Sequence, residues 1–462
     1  MRRVAGLLVA CVLVAGSTSA QSHFGRSTLS AADYFEIEAL YGRSLHEVGT
    51  DGGAAFAGVF VPDGRIVSPG GTVAGRKALA AHAVGKRGRR LWISNLFIEP
   101  AEGGALGWPY VLESDTTGMR DGTLYRDDLV KTSSGWRVRE RTVVPGNDMP
   151  ERVHRVRSSA NSGSALTAVD YAEIKRNLFQ YNVAYDSMGA KDKGHMSAQS
   201  FVPDAIFERV GAPTRRGREG AAAQTAAARP GLHHWDTNVL IDVDRNGAVS
   251  STGYDMQLNV GQGGSPVKLN GAGLLRHRFV KTEEGWQISY RMYEALGSTP
   301  VINFPGPEFG YFAGRLPIEA AVAGTSDGLT PRDRIAIEQL YIRNAMGSDS
   351  AAEEGASFAN TFTADGVLQQ GGARIAGRPA LAASVASKTP SLHTWVSNLV
   401  VEPTRGGATG RAYVLVMDIG GGPTTPTSLG VFDDVLVRTP QGWRFKTRAF
   451  TPDLLPPAPP PQ

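Results

Sequence analysis

The sequence predicts an α+β protein built from three tandem copies of one small domain, each with N-terminal helices packed on a curved antiparallel sheet. Three observations lead there. The chain has 462 residues, too many for one core and enough for about three domains. A Gly-Trp pair returns as Gly135-Trp136, Gly285-Trp286 and Gly442-Trp443, at domain-sized steps of roughly 150 residues rather than solenoid-sized ones. Between those landmarks, helical signals come first and a run of strand signals follows, which is the α+β order.

The repeat itself is explicit. Trp92-Ile93-Ser94-Asn95-Leu96-Phe97-Ile98-Glu99-Pro100 returns as Trp395-Val396-Ser397-Asn398-Leu399-Val400-Val401-Glu402-Pro403, and each is followed by Gly-Gly-Ala and then Tyr-Val-Leu. The middle copy is more diverged but keeps Gly217-Arg218, Trp235, Asn238, Tyr254 and Gly285-Trp286. An arginine stands five residues beyond each tryptophan of the Gly-Trp pairs: Arg141, Arg291 and Arg448. These arginines are expected at a rim, with an anion anchor inside a pocket as the alternative. The Gly-Trp pair is expected to be a hairpin turn followed by a core aromatic.

The elements follow in the same order in each copy. In the third, Thr330-Pro331-Arg332-Asp333 supplies an N-cap with Pro in the first turn, and Ile337, Leu340, Tyr341 and Ala345 have helical spacing. A short helix is expected around Gly377 to Ala386. Strands are expected at Thr394 to Val401, Gly410 to Met417, Gly430 to Val437 and Trp443 to Phe450. The copies are predicted to occupy residues 29–150, 166–298 and 328–453 as separate domains, with a linker at 299–327 and a proline-rich extended tail at 454–462. The long linker is the expected first site of proteolysis.

Met1-Arg2-Arg3, the apolar run Val4 to Gly16 and the small residues Thr18-Ser19-Ala20 make residues 1–20 a signal peptide, so the chain is expected to be exported, periplasmic or extracellular, with Gln21 at or near its mature N-terminus. A lipoprotein box at Leu8-Val9-Ala10-Cys11 is the competing reading, and too little apolar chain precedes Cys11 to favour it. Cys11 is the only cysteine, which leaves the mature chain without a disulfide, a thiolate metal site or a cysteine nucleophile. The apolar run is too short to span a bilayer and none comparable follows. The formal net charge of +4, with acids and bases interspersed, provides no nucleic-acid footprint.

From Ile337 through Phe445 the residues carry a pattern: an Ile-Leu-Tyr helix, Phe362-x-x-Asp365-Gly366, Gly377-Arg378-x-Ala380-Leu381, Leu392-His393-Thr394-Trp395-Val396-Ser397-Asn398, a Tyr-Val-Leu strand and Gly442-Trp443-Arg444-Phe445. This resembles a SnoaL-like domain of the nuclear transport factor 2-like superfamily, across nearly all of the third copy, most of the first and more loosely the second. The resemblance implies a cone-shaped α+β barrel with a pocket between the long helix and the concave sheet. It leaves the chemistry open among dehydratases, isomerases, cyclases and non-catalytic pockets.

The scytalone dehydratase-like branch, by resemblance, implies a Tyr-Asp pair on the first helix and a histidine from the sheet. The matching residues are Tyr185, Asp186 and His233 in the middle copy and Asp349 and His393 in the third, while the first has Gly49 and Arg90 there. Tyr181, Tyr254, Tyr341 and Tyr413 are the candidate substrate-binding tyrosines. Such a site would pass protons on a small, largely apolar hydroxy- or keto-compound without metal or organic cofactor, Asp186 and His233 serving as the acid/base pair. The plainer reading makes the histidines hydrogen-bonded strand residues and the aspartates helix-terminal surface acids.

The alternative function is a non-catalytic ligand-binding or interaction scaffold, with outer sheet faces available for self-association. Two other motifs fail on context. Gly324-Thr325-Ser326-Asp327-Gly328 fits a nucleophile elbow but has no strand before it, and the nine histidines show no metal-ligand spacing. His233 and His234, adjacent on a strand, should point to opposite faces.

Overall fold

The computed structural model describes residues 29–46, 48, 53–87, 89–115, 118–144, 166–228, 231–243, 248–259, 268–295, 328–388, 391–418 and 425–452. The leader, the 299–327 linker, the Ser-rich connection at 157–163, the proline-rich tail, Gly49 and nearly all of the elbow-like stretch lie outside them. Among the described residues no helix is long and apolar enough to cross a membrane.

Each copy begins with a long helix: α1 (Ala31–His46), which is followed by the short α2 (Ala54–Gly58), then β1 (Phe60–Ser68), β2 (Gly71–Ala74), α3 (Arg76–Val84), β3 (Arg90–Ala101), β4 (Gly104–Asp115), β5 (Gly118–Thr132) and β6 (Gly135–Val143). The middle copy repeats this as α4 (Ala168–Met188), α5 (His195–Ala198), β7 (Phe201–Arg209), β8 (Arg215–Arg216), α6 (Gly217–Thr225), β9 (Leu232–Val243), β10 (Val249–Asn259), β11 (Lys268–Thr282) and β12 (Gly285–Ala295). The third has α7 (Pro331–Ser350), a 3-10 turn (Ala352–Gly355), α8 (Ala356–Ala359), β13 (Phe362–Gln370), β14 (Ala373–Ala376), α9 (Arg378–Ala386), β15 (Leu392–Thr404), β16 (Gly407–Asp418), β17 (Thr425–Thr439) and β18 (Gly442–Pro452).

The long helices start the same way because a hydroxyl residue stands three places before an aspartate. Thr167 with Asp170 and Thr330 with Asp333 form reciprocal capping boxes, and Ser30 with Asp33 makes the same pair of bonds. The same aspartates receive the indole N–H of the last strand: Trp136 to Asp33 at 3.0 Å, Trp286 to Asp170 at 2.9 Å and Trp443 to Asp333 at 3.0 Å. The Gly-Trp tryptophan therefore clasps the first helix to the last strand, beyond filling the core, and the preceding glycine takes the positive φ that the turn requires.

Every sheet has six strands. In the first copy the order is β2-β1-β6-β5-β4-β3, and the other two are identical in plan. The sheet is open, with β2 and β3 at its edges, so the cone expected as a barrel is not closed. It is also not wholly antiparallel: β1 and β6 pair in parallel, as do β7 with β12 and β13 with β18, because the first strand returns beside the last in the same direction.

The copies close into a ring. Asn95, Asn238 and Asn398 stand at irregularities in β3, β9 and β15, at φ 49°, 53° and 53°. Each side-chain amide pairs with the backbone of the next copy as a strand residue would. Asn95 donates to the His234 carbonyl at 2.6 Å and accepts from Asp236 N–H at 2.9 Å. Asn238 does so with Thr394 and Val396 at 2.7 and 3.0 Å, and Asn398 returns to Leu91 and Ile93 at 2.7 and 2.9 Å.

Equivalent helix positions meet on the ring's axis, where Lys175 Nζ lies 2.9 Å from Glu38 and 2.8 Å from Glu338. One apolar cluster joins Trp92, Tyr171, Trp235, Ile335 and Trp395, and so runs through all three copies. The sheets are separate, and the first and third copies each have a core cluster of their own, while the outer faces that carry these tryptophans are buried against one another.

Candidate functional site

The last turn of α4 brings Asp186 against the start of β9, where strand alternation decides which histidine it meets. His233 points outward to the first copy and lies flat against Tyr110, with ring centroids 5.0 Å apart. His234 points inward. Its Nδ1 is 2.6 Å from Asp186 Oδ1, its backbone N–H donates to Oδ2 at 2.8 Å, and the Tyr185 ring stacks on the imidazole at 4.4 Å. Tyr110 Oη donates to the same Oδ2 at 3.2 Å, so a residue of the first copy completes the middle copy's site.

The Asp186–His233 pairing expected from the sequence is thus corrected to Asp186–His234. The parity of the strand, fixed by the bulge at Asn238, turns the first histidine away. Asp186 and Asp349 are buried rather than surface acids, with side chains 1% and 0% exposed.

The two histidines are pushed apart electrostatically. Burial opposes the charged form of His234, but Asp186 and then Asp255 outweigh it and lift the imidazole to about 9. Burial holds His233 below its ordinary value against the weaker pull of Asp186. At neutral pH His234 is an imidazolium and His233 a neutral ring.

The third copy lacks this dyad. Thr394 occupies the inward position, and Asp349 accepts from Thr394 N–H at 2.7 Å, Thr394 Oγ1 at 2.7 Å and Lys388 Nζ at 2.8 Å, with Tyr254 Oη at 3.4 Å. His393 is fully buried, faces Tyr254, and its Nδ1 is 4.0 Å from Asp349. In the first copy Leu91 stands inward, Arg90 lies 5.0 Å over the Tyr413 ring, and Tyr413 donates to the Leu45 carbonyl at 3.2 Å.

Of the four tyrosines expected to face substrate, Tyr181 alone lies inside the middle copy. Tyr254 and Tyr413 bridge to the following copy of the ring. Tyr341 is in the core of the third copy beneath Gly410, where a Cβ would come within 2.1 Å of its hydroxyl.

The arginines expected at a rim are buried, each under aromatic rings. Arg141 and Arg448 are held in two-pronged ion pairs by Asp127 and Asp434, with closest contacts of 2.6 and 2.8 Å. In the middle copy the register places His277 there instead, with Nε2 2.7 Å from Arg291 Nη1. Burial and Arg291 hold His277 well below its ordinary value, so it accepts as a neutral ring.

The concave wall differs in the same way. Ile93 and Val111 in the first copy, and Val396 and Val414 in the third, correspond to Asp236 and Asp255 in the middle one, directly opposite each other on β9 and β10. His234, Asp236, Asp255 and Tyr110 join the site without being expected there from the sequence. The repeat register carried the signal for the aspartates, since it sets two acids where the other copies have aliphatic side chains.

A cavity of about 420 Å³ opens in the middle copy, lined by Phe207, Pro213, Ala223 and Gln224, with Arg209 and Arg215 at its exposed lip. Gln224 hydrogen-bonds the Tyr185 phenol, and Phe207 lies under Arg291 at 5.7 Å. The cavity is within the size range of small-molecule sites. Among the described residues no group of three or more His, Cys, Asp or Glu is arranged to hold a metal.

The chain is similar over about a quarter of its length, one copy's worth, to several solved structures. These include a function-unknown protein from Mycobacterium tuberculosis (25% identity, 27% of this chain and 73% of that one, TM-score 0.25). They also include an NTF2-like protein with a cystatin-like fold from Novosphingobium aromaticivorans (20%, 28% and 84%, 0.25) and ActVI-ORFA from Streptomyces coelicolor (18%, 27% and 96%, 0.25). No curated protein matches it. The SnoaL-like domain model matches residues 30–142, 167–292 and 330–449, the greater part of the chain. With three copies of its helix-and-sheet unit in one ring, the protein belongs to the SnoaL-like domain family.

Proposed function

We propose that the middle copy takes a small, largely apolar hydroxy- or keto-compound and moves protons on it with His234. The carrying observation is the 2.6 Å contact between Asp186 and His234, which anchors Nδ1 and leaves Nε2 as the ring's other nitrogen. For a β-hydroxyketone the balance is simple. The imidazolium gives its Nε2 proton to the leaving hydroxyl, the C–O bond breaks with its electron pair to release water, and the neutral ring takes the proton of the adjacent carbon as the C=C bond forms. Tyr185, stacked on the ring and reaching the cavity through Gln224, orients the substrate. No metal or organic cofactor enters these steps, and export ahead of Gln21 belongs to the same reading.

A second reading has one observation in its favour. Asp349 makes the same backbone bond in the third copy without a histidine dyad, so the aspartates also serve to fasten helix, strand and neighbouring tyrosine. On that reading the ring is a non-catalytic ligand-binding or interaction scaffold.

The test is conversion of 3-hydroxy-1-tetralone, which loses water to give 1-naphthol and can be followed by fluorescence. His234→Ala should lower the rate by about 10²-fold or more, and His393→Ala much less. Wild-type protein that leaves the hydroxytetralone unchanged, or a variant as active as wild type, would sink the catalytic reading and leave the scaffold.

A further inference from the structure

The polar wall of the middle copy contains more than the dyad uses. Asp236 and Asp255 are 4% and 1% exposed and paired across neighbouring strands, a placement in which two like charges repel. Each has an Oδ1 without a hydrogen-bond partner, as have the Tyr181 hydroxyl and Arg291 Nε beside them. The scaffold does not need them, since the other copies fold with Ile93 and Val111, or Val396 and Val414, in their places. Nor do they bond Arg291 directly as Asp127 and Asp434 bond the other arginines, because His277 takes the bonding position.

Resting on the reading that this copy takes a small molecule, we propose that Asp236 and Asp255 hold one proton between them. With Arg291 they form the polar floor of the pocket, which selects a neutral hydroxyl-bearing ligand over an anionic one.

The charges support this. The groups facing the pair are His234 on β9, Gln257 on β10, which donates to Asp255 Oδ2 at 3.1 Å, Tyr181, Tyr185 and Asp186 on α4, Arg291 and Tyr293 on β12, and the amide of Asn182, which leans on Asp236. The imidazolium of His234 balances Asp186. A pair sharing one proton balances Arg291, so the interior is neutral and an incoming anion would stand uncompensated. Burial and then Asp255 push Asp236 up to about 7, and burial raises Asp255 as well. A ligand hydroxyl can donate to the ionised member and accept from the protonated one, meeting both unpartnered oxygens.

Two measurements on the full chain test this. Fluorescence titration at pH 7 should show 2-naphthol, neutral there, bound at least tenfold more tightly than 2-naphthoate. The double variant Asp236→Asn/Asp255→Asn should reverse the order, because it leaves Arg291 uncompensated, whereas either single change leaves one carboxylate to balance it. Carbon NMR of labelled aspartates should show one carboxyl titrating near neutrality in wild type and none in Asp236→Asn.

Equal or inverted affinities in wild type, or two carboxyls titrating in the ordinary acidic range, would overturn the proposal even if hydroxytetralone is turned over. Conversely, naphthol selectivity with the neutral titration, in protein inert toward hydroxytetralone, would uphold the floor and remove the dehydration.

Discussion

The hydroxyl of Tyr110, in the first copy, lies 3.2 Å from the carboxylate of Asp186, in the second. That bond crosses a boundary between repeats, and it recurs one step on as Tyr254 to Asp349 at 3.4 Å. Tyr110→Phe should therefore destabilise the protein by about 1.5–3 kcal/mol, the range for a hydrogen bond to a charged group, and should lower middle-copy turnover. Tyr254→Phe should cost a similar amount of stability and leave that turnover unchanged. Denaturant unfolding together with the hydroxytetralone assay separates the two; a Tyr254→Phe variant as impaired in turnover as Tyr110→Phe would contradict the assignment.

The Asp186–His234 contact has a pH signature. The folded value of His234, about 9, is above its ordinary 6.5. A raised value means that the contribution to stability is fully present below about pH 6.5 and fades as pH rises through about 9. The stability gap between wild type and His234→Gln should accordingly be greatest near pH 6, on the order of 2–3 kcal/mol, and shrink toward pH 10. Thermal unfolding across that range checks it, and a gap that widens with pH would refute the charge assignment. The catalytic rate should fall on the same alkaline limb.

A single amide clasps each seam of the ring, beside the shared apolar cluster and the Lys175 ion pairs. Asn398 joins the third copy to the first by two hydrogen bonds while holding a left-handed backbone. Asn398→Ala forfeits the bonds and the local preference, an expected cost of about 2–4 kcal/mol. Asn398→Gly retains the backbone freedom and should cost less than the alanine. Calorimetry of the two variants provides the comparison, and equal costs would show that the left-handed conformation carries no penalty here.

The sequence by itself determined the repeat, the helix-then-strand order, the three Ser/Thr-x-x-Asp helix starts and the glycine turn before each tryptophan, because these depend on residues within a few positions of one another. It also placed Asp186 and Asp349 correctly at the ends of long helices. Only the tertiary structure decided the rest. Whether His233 or His234 faces inward depends on strand parity, which the bulge at Asn238 and the pairing of β9 with β10 set together. That Asp236 meets Asp255, or that Arg291 meets His277 where Arg448 meets Asp434, follows from register between strands. The tyrosine that completes each site comes from a different copy, a contact created by closing the ring, and local spacing carries no trace of it.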